Sequence, residues 1–307
     1  MPRHTAELLT QLQHANGVLV TVHSVEGSGP REVGAWMAVF PHTLVNTIGG
    51  GHLEFQAIDE ARALLGQNKS ASPSASAPAP ASASASSGAT PTHLTAGAAV
   101  THEDQTFTLR YALGPALGQC CGGVVHLRFE PIGAADAPAL KQRLLANGQP
   151  LALFGGGHVG RALMHVLGNL PFAVRWIDSR DEIFPAQVPL NVVCEHSDPV
   201  HAAVADLAPH SAVLIMSFSH AEDLDVVAAC LKRQRALGDI GFIGLIGSKT
   251  KWATFRHRLE ARGFSADELA RVTCPIGIEG ITGKEPEVIA VAVAAQLLQC
   301  TLSSSVA

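Results

Sequence analysis

The sequence predicts an α/β protein in two parts: an N-terminal mixed α+β domain, then a doubly wound parallel-sheet domain. Three observations carry this prediction. The chain has 307 residues, more than one hydrophobic core commonly serves. From Pro150 onward, short apolar runs alternate with helical stretches, the pattern of right-handed β–α–β crossovers. The first of those runs, Leu151 to Phe154, leads directly into the glycine loop GGGHVG and a helix. That last feature makes the second domain Rossmann-like.

Taken in order, residues 1–130 form the first domain. Val18 to His23 is a β-branched run and Trp36 to Phe40 a second apolar run, both expected as strands. Thr43 to Ile48 leads into Gly49-Gly50-Gly51, after which Leu53 to Leu65 shows helical spacing. Ser70 to Ser87 is almost pure Ala, Ser and Pro, with too little apolar bulk to offset the entropy of ordering. It is expected as a disordered surface insertion spanning about residues 67–93, which a surface loop tolerates at modest closure cost. Ala98 to Thr101, Thr106 to Tyr111 and Val124 to Phe129 alternate as further strands. Residues 131–147 are a connecting segment with a helix at Ala137 to Ala146, and 148–307 form the Rossmann-like domain. There Phe172 to Ile177, Asn191 to Glu195, Ala212 to Met216 and Phe242 to Ile246 continue as strands. The helices between them are Val159 to Leu167, Leu224 to Leu237 and Lys251 to Arg262. A last helix follows Pro286, whose fixed φ and flanking Glu285 and Glu287 suit a helix start.

Composition narrows the function. Residues are 47% hydrophobic but only 15% charged, against roughly 25% in ordinary soluble proteins. Mean hydropathy is +0.22. Yet no apolar run reaches the ~18 residues of a membrane span, so no membrane partner is expected. Net charge is -5, with Lys and Arg scattered and no basic stripe, so nucleic acid is not an expected partner. The N-terminus lacks the apolar centre of a secretory signal, and six cysteines are too few for a disulfide scaffold. A reducing cytoplasm is the expected location.

Four motifs carry chemistry. In the first, Gly155, Gly157 and Gly160 fill the G-x-G-x-x-G positions, with Gly156 and His158 between them. Asp178 ends the next strand, 18 residues beyond Gly160, where an acid commonly reads a ribose hydroxyl. A nucleotide or a vacant crevice both fit this pattern. The second is Gly118-Gln119-Cys120-Cys121-Gly122-Gly123. Adjacent cysteines lack zinc spacing, so the choice lies between two small residues in a turn and soft sulfur donors facing a molybdenum or copper-type centre. The third comprises Gly27-Ser28-Gly29-Pro30-Arg31 and Gly49-Gly50-Gly51-His52-Leu53-Glu54, glycine runs whose bare backbone suits an anion paired with Arg31. Glu54 equally suits the helix dipole there, and His52 a cap. The fourth is Gly247-Ser248-Lys249 and His220, each following a strand beside the expected crevice. The remaining thiols, Cys194, Cys230, Cys274 and Cys300, are expected to be buried.

Read together, the chain resembles the XdhC (XdhC/CoxI) family of xanthine dehydrogenase accessory proteins. The stretches that carry the likeness are VEGSGPREVGAWMAV, TIGGGHLE, LGQCCGG, LALFGGGHVGRAL, WIDSRDEIFP, SHAEDLD, GLIGSKTK and PIGIEGITGKEPEVIAVAVAAQLL. They run in order along nearly the whole chain outside the Ser/Ala/Pro insertion. The resemblance implies a chaperone that binds the molybdenum cofactor, a molybdopterin, protects it through sulfuration and inserts it into xanthine dehydrogenase, within purine catabolism. It implies contact with the molybdenum subunit of that enzyme, a cysteine desulfurase as sulfur donor, a homodimer, and no turnover of its own. Cys120 and Cys121 become the expected cofactor and molybdenum contacts, and the Rossmann-like crevice holds either a nucleotide or the pterin phosphate. The competing expectation is an NAD(P)-dependent oxidoreductase, which lacks a Ser/Tyr/Lys constellation here. A nucleotide-sensing interaction module is the third.

Overall fold

The computed structural model describes residues 2–70, 106–113 and 122–302. The chain divides into two compact units, Glu7–Pro138 and Met1–Ala6 with Ala139–Ala307. A helix the sequence reading did not anticipate, α1 (Pro2–Leu12), opens the chain.

The first unit is a five-stranded antiparallel sheet in the order β3-β2-β1-β5-β4. Its strands are β1 (Gly17–Glu26), β2 (Trp36–Val39), β3 (Leu44–Asn46), β4 (Phe107–Ala112) and β5 (Val124–Ile132), with α2 (Gly51–Ser70) between β3 and β4. Period 2 places Val18, Val20 and Val22 of β1 in one cluster with Val125, Leu127 and Phe129 of β5. Leu53, Ala57 and Ala61, four apart on α2, close the same core. The expected strand at Ala98 to Thr101 and most of the Ser/Ala/Pro insertion lie outside the described residues.

The second unit, entered through α3 (Ala137–Leu145), is a six-stranded, all-parallel sheet in the order β11-β10-β9-β6-β7-β8. Its elements run β6 (Gln149–Phe154), α4 (His158–Leu167), β7 (Phe172–Asp178), β8 (Val192–His196), β9 (Ser211–Ile215), α5 (His220–Leu237), β10 (Ile240–Leu245), α6 (Lys249–Ala261), α7 (Ala266–Leu269), β11 (Val272–Thr273) and α8 (Pro286–Leu302). Counted from β6, this is the doubly wound order 3-2-1-4-5-6, whose direction reverses between β6 and β9. Alternate residues of each strand face opposite layers. Leu151 and Leu153 pack with Leu163 of α4 and Val293 of α8, whereas Ala152 and Phe154 pack with Leu224 and Val227 of α5. Burial on both faces is why these strands read as continuous apolar runs instead of alternating ones. Among the described residues, no helix is long and apolar enough to cross a membrane.

Three details differ from the sequence reading. Helix α5 starts at His220, not Leu224, because the Ser219 hydroxyl accepts from Glu222 N–H and caps a polar first turn. Helix α7 and strand β11 are too short for periodicity to reveal. Cys230 is buried, but Cys194 and Cys274 are only partly covered and Cys300 is exposed. Cys300 lies in the polar final stretch of α8, where Gln299 is exposed too.

Candidate functional site

Each unit gathers its own share of the candidate residues. In the antiparallel unit, the loop after β1 (residues 27–31), the loop before α2 (47–50) and Gly122-Gly123 before β5 lie side by side. A Cβ on Gly123 would stand 2.2 Å from the Ser28 carbonyl oxygen, and one on Gly49 would stand 2.6 Å from Pro30 Cβ. Backbone therefore meets backbone at Gly123, while at Gly49 the Pro30 side chain takes the space a Cβ would need. The Arg31 guanidinium donates to the Thr47 carbonyl at 3.2 Å and pairs with Glu32 at 2.9 Å.

The anion of this loop is supplied by the chain itself. Ile48 N–H and Gly50 N–H donate to Glu54 Oε2 at 3.0 and 3.1 Å, and the Thr47 hydroxyl donates to the same oxygen. Thr47 Oγ1 in turn accepts from Gly49 N–H at 3.0 Å. Glu54 thus fills the concavity that glycines 49–51 create, in addition to lying at the positive end of α2. His52 is exposed, with its Nε2 3.3 Å from the Gln56 amide nitrogen. Gly122 is exposed; Cys120 and Cys121 lie outside the described residues.

In the parallel unit, the loops after β6, β7, β9 and β10 all emerge at the carboxyl edge of the sheet, and the β6/β9 reversal opens the crevice there. Three of the glycines do separate things. Gly155, at φ 125°, packs so closely that a Cβ would stand 2.0 Å from the Met216 carbonyl oxygen. A Cβ on Gly160 would stand 2.2 Å from the Gly155 carbonyl oxygen, which also accepts from the Trp176 indole at 2.9 Å. Gly157 caps α4, and the space where its Cβ would be is open to at least 4 Å. The first N–H groups of α4, beginning at the exposed His158, have no intrahelical acceptor and point toward that opening.

Asp178, 1% exposed, is fully engaged. Its Oδ2 accepts from Gly156 N–H at 2.6 Å and from Arg180 Nη2 at 2.9 Å; its Oδ1 accepts from Arg180 N–H and Nε, both at 2.9 Å. Burial pushes the carboxyl upward, but the hydrogen bonds from Arg180 and Gly156 outweigh it and hold the group below the usual carboxylate range. The Arg180 guanidinium also lies 4.5 Å over the Phe218 ring, from the loop after β9.

Sequence reasoning missed a second layer. Glu222 accepts from the Ser179 hydroxyl at 2.7 Å and from Phe218 N–H at 3.1 Å. Asp223 accepts from Ser217 N–H at 2.7 Å and from Lys251 Nζ at 2.7 Å, and Lys251 donates also to the Ile246 carbonyl at 2.8 Å. The Asp223 and Lys251 side chains are 3% and 12% exposed. These ties fasten the loop ends of β7, β9 and β10 to one another. Only the S-x-x-E pattern at Ser219 and Glu222 hinted at them. His220 lies edge-on to Phe255 and is exposed. Gly247 packs on the Lys251 stem, Ser248 caps α6 by accepting from Lys251 N–H at 3.1 Å, and Lys249 is exposed as the first residue of that helix. Among the described residues, no three His, Cys, Asp or Glu cluster to hold a metal ion.

An antiparallel α+β unit, together with a doubly wound unit whose glycine loop opens at the strand-order reversal, defines a two-part, Rossmann-containing fold class. The family model for the XdhC Rossmann domain matches residues 151–297, and that for the XdhC and CoxI family matches residues 11–72. The chain belongs to the XdhC and CoxI family. It is 25% identical over 276 residues to the uncharacterized protein YqeB of Escherichia coli K12, covering 89% of this chain but only 41% of that relative's length. A crystal structure from Bacillus halodurans, described as a xanthine dehydrogenase, shares the fold: 18% identity, TM-score 0.63, 97% of this chain and 96% of that one.

Proposed function

We propose that the protein is an accessory factor of xanthine dehydrogenase that binds the molybdenum cofactor, shields it during sulfuration and delivers it to the enzyme's molybdenum subunit. Family membership supports the accessory role. The observation that carries the binding role is the cradle of the antiparallel unit. There Gly27 and Gly123 bring two loops backbone to backbone, Gly49 lets a third approach the Pro30 side chain, and Gly122-Gly123 directly follow the Cys120-Cys121 pair in sequence. Bare backbone admits a bulky pterin, and thiols are soft donors suited to molybdenum. In the parallel unit, taken by itself, the open side of Gly157 and the α4 N-terminus suit a phosphate. A cysteine desulfurase supplies the sulfur, and the cargo passes directly between proteins because it is labile. The protein itself turns nothing over, and it works as a dimer in the cytoplasm.

Anaerobic purification followed by molybdenum and pterin analysis tests this reading, with cofactor expected in the bound fraction. Cys120→Ala and Cys121→Ala, singly and together, are expected to lower retention. Unchanged retention in the double variant removes the thiols from the site. Pull-down of the molybdenum subunit by cofactor-loaded protein tests delivery. The oxidoreductase reading draws support from the doubly wound strand order, but Asp178 has no acceptor left for a ribose. A change in nicotinamide absorbance with carbonyl substrates would revive it.

A further inference from the structure

A crevice that reads a ribose does so through an acid at the end of the second strand, whose oxygens accept from the two sugar hydroxyls. Asp178 stands at that place, at the end of β7. An ionised carboxylate offers about four acceptor directions. Here four hydrogen bonds fill them, three from Arg180 and one from Gly156 N–H. The carboxylate is buried, so a sugar would have to displace charge-assisted bonds to reach it.

Arg180 is itself held in place. Its guanidinium lies over the Phe218 ring, the Phe218 N–H is fixed by Glu222, and Glu222 also accepts from Ser179 next to Arg180. The latch therefore joins the loop after β7 to the loop after β9, across the reversal point of the sheet. One residue past Gly156 the surroundings are different. Nothing lies within 4 Å of where a Gly157 Cβ would be, at the start of α4. One half of a dinucleotide site is closed by an internal side chain and the other half is open.

We infer that Arg180 sets the ligand selectivity of this crevice: folded onto Asp178, it takes the place of a ribose cis-diol, so the crevice rejects nucleotides held through the sugar. This rests on the reading of the crevice as a ligand site and deepens it by naming the class excluded. It accounts for a glycine loop and an acid in the positions of a dinucleotide site within a protein whose cargo is a pterin phosphate.

Equilibrium binding of AMP, 2′,3′-dideoxy-AMP and NAD to the full chain tests it, in wild type, Arg180→Ala and Arg180→Gln. Wild type is expected to bind AMP and dideoxy-AMP equally poorly. Arg180→Ala is expected to gain at least about tenfold for AMP and NAD, the scale of one charge-assisted hydrogen bond, and nothing for dideoxy-AMP. Arg180→Gln, which is shorter and uncharged but keeps an amide donor, gives the same order with a smaller gain and serves if the Ala variant does not fold. Tighter binding of AMP than of dideoxy-AMP by wild type would overturn the inference, as would a gain in the variants that ignores the diol. Molybdopterin retention by wild type, measured separately, judges the cargo reading. A diol-dependent gain without retention sinks the cargo and keeps the latch; retention without the gain does the reverse.

Discussion

At the scale of single residues, the glycine loop after β6 separates folding from binding. Gly155→Ala and Gly160→Ala would each drive a Cβ to 2.0 or 2.2 Å from a carbonyl oxygen, and at Gly155 the positive φ adds strain. Overpacking of this kind costs about 1–3 kcal/mol or more, so both variants should unfold at clearly lower urea concentration. Gly157→Ala meets nothing and should cost only the poorer capping of Ala, about 1 kcal/mol or less. Its methyl group stands in the open half of the crevice, so if the proposed cargo is held there by its phosphate, the same variant should weaken retention. Urea titration beside a cofactor-retention assay checks both halves. Equal destabilisation at all three positions would show that Gly157 packs like the others.

Among the elements, α5 depends on its cap. The Ser219 hydroxyl satisfies Glu222 N–H, which leaves the Glu222 and Asp223 carboxylates free to bind the loop after β9. Ser219→Ala should cost about 1 kcal/mol, read as a lower midpoint of urea unfolding with unchanged slope. The same helix shows what the sequence could tell. LALF and AVLI are legible as strands because burial on both faces leaves no polar position in them. The GGGHVG loop is legible because a strand, a turn and a helix must follow one another there. The polar start of α5 is not, since His220, Ala221, Glu222 and Asp223 show no apolar period and reveal a helix only through a cap. Nor are the partners of Asp178 and Glu54 legible. Position in the sequence says that each acid ends a strand or begins a helix; whether its oxygens face a ligand or the chain's own donors is decided by how the adjoining loop closes. Short α7 and β11 hold too few residues for any period, although Ser265 and Glu268 do form a capping box.

For the molecule as a whole, acid is the expected weak point. Hydrogen bonds from Arg233 hold Asp239 below its usual range, and those from Arg235 and Ser265 N–H lower Glu268 to about 2. Asp178 is also held low. Each of these groups binds fewer protons folded than unfolded. Their stabilisation is complete above the ordinary carboxylate range and is lost as pH falls from about 4.5 toward about 2. Melting temperature should be nearly flat from neutral pH down to that range and drop below it, less steeply in Arg180→Ala, which has already lost one such pair. A drop centred near pH 6 to 7 would point to histidines instead. One more property of the whole chain follows from where the antiparallel sheet ends. The stretch between Ser70 and Phe107 joins the end of α2 to β4, which is an edge strand paired with β5 alone. A fluorescent reporter spliced there would disturb one border of one sheet, far in sequence from the glycine loop after β6, making this the natural place from which to test the proposed hand-over.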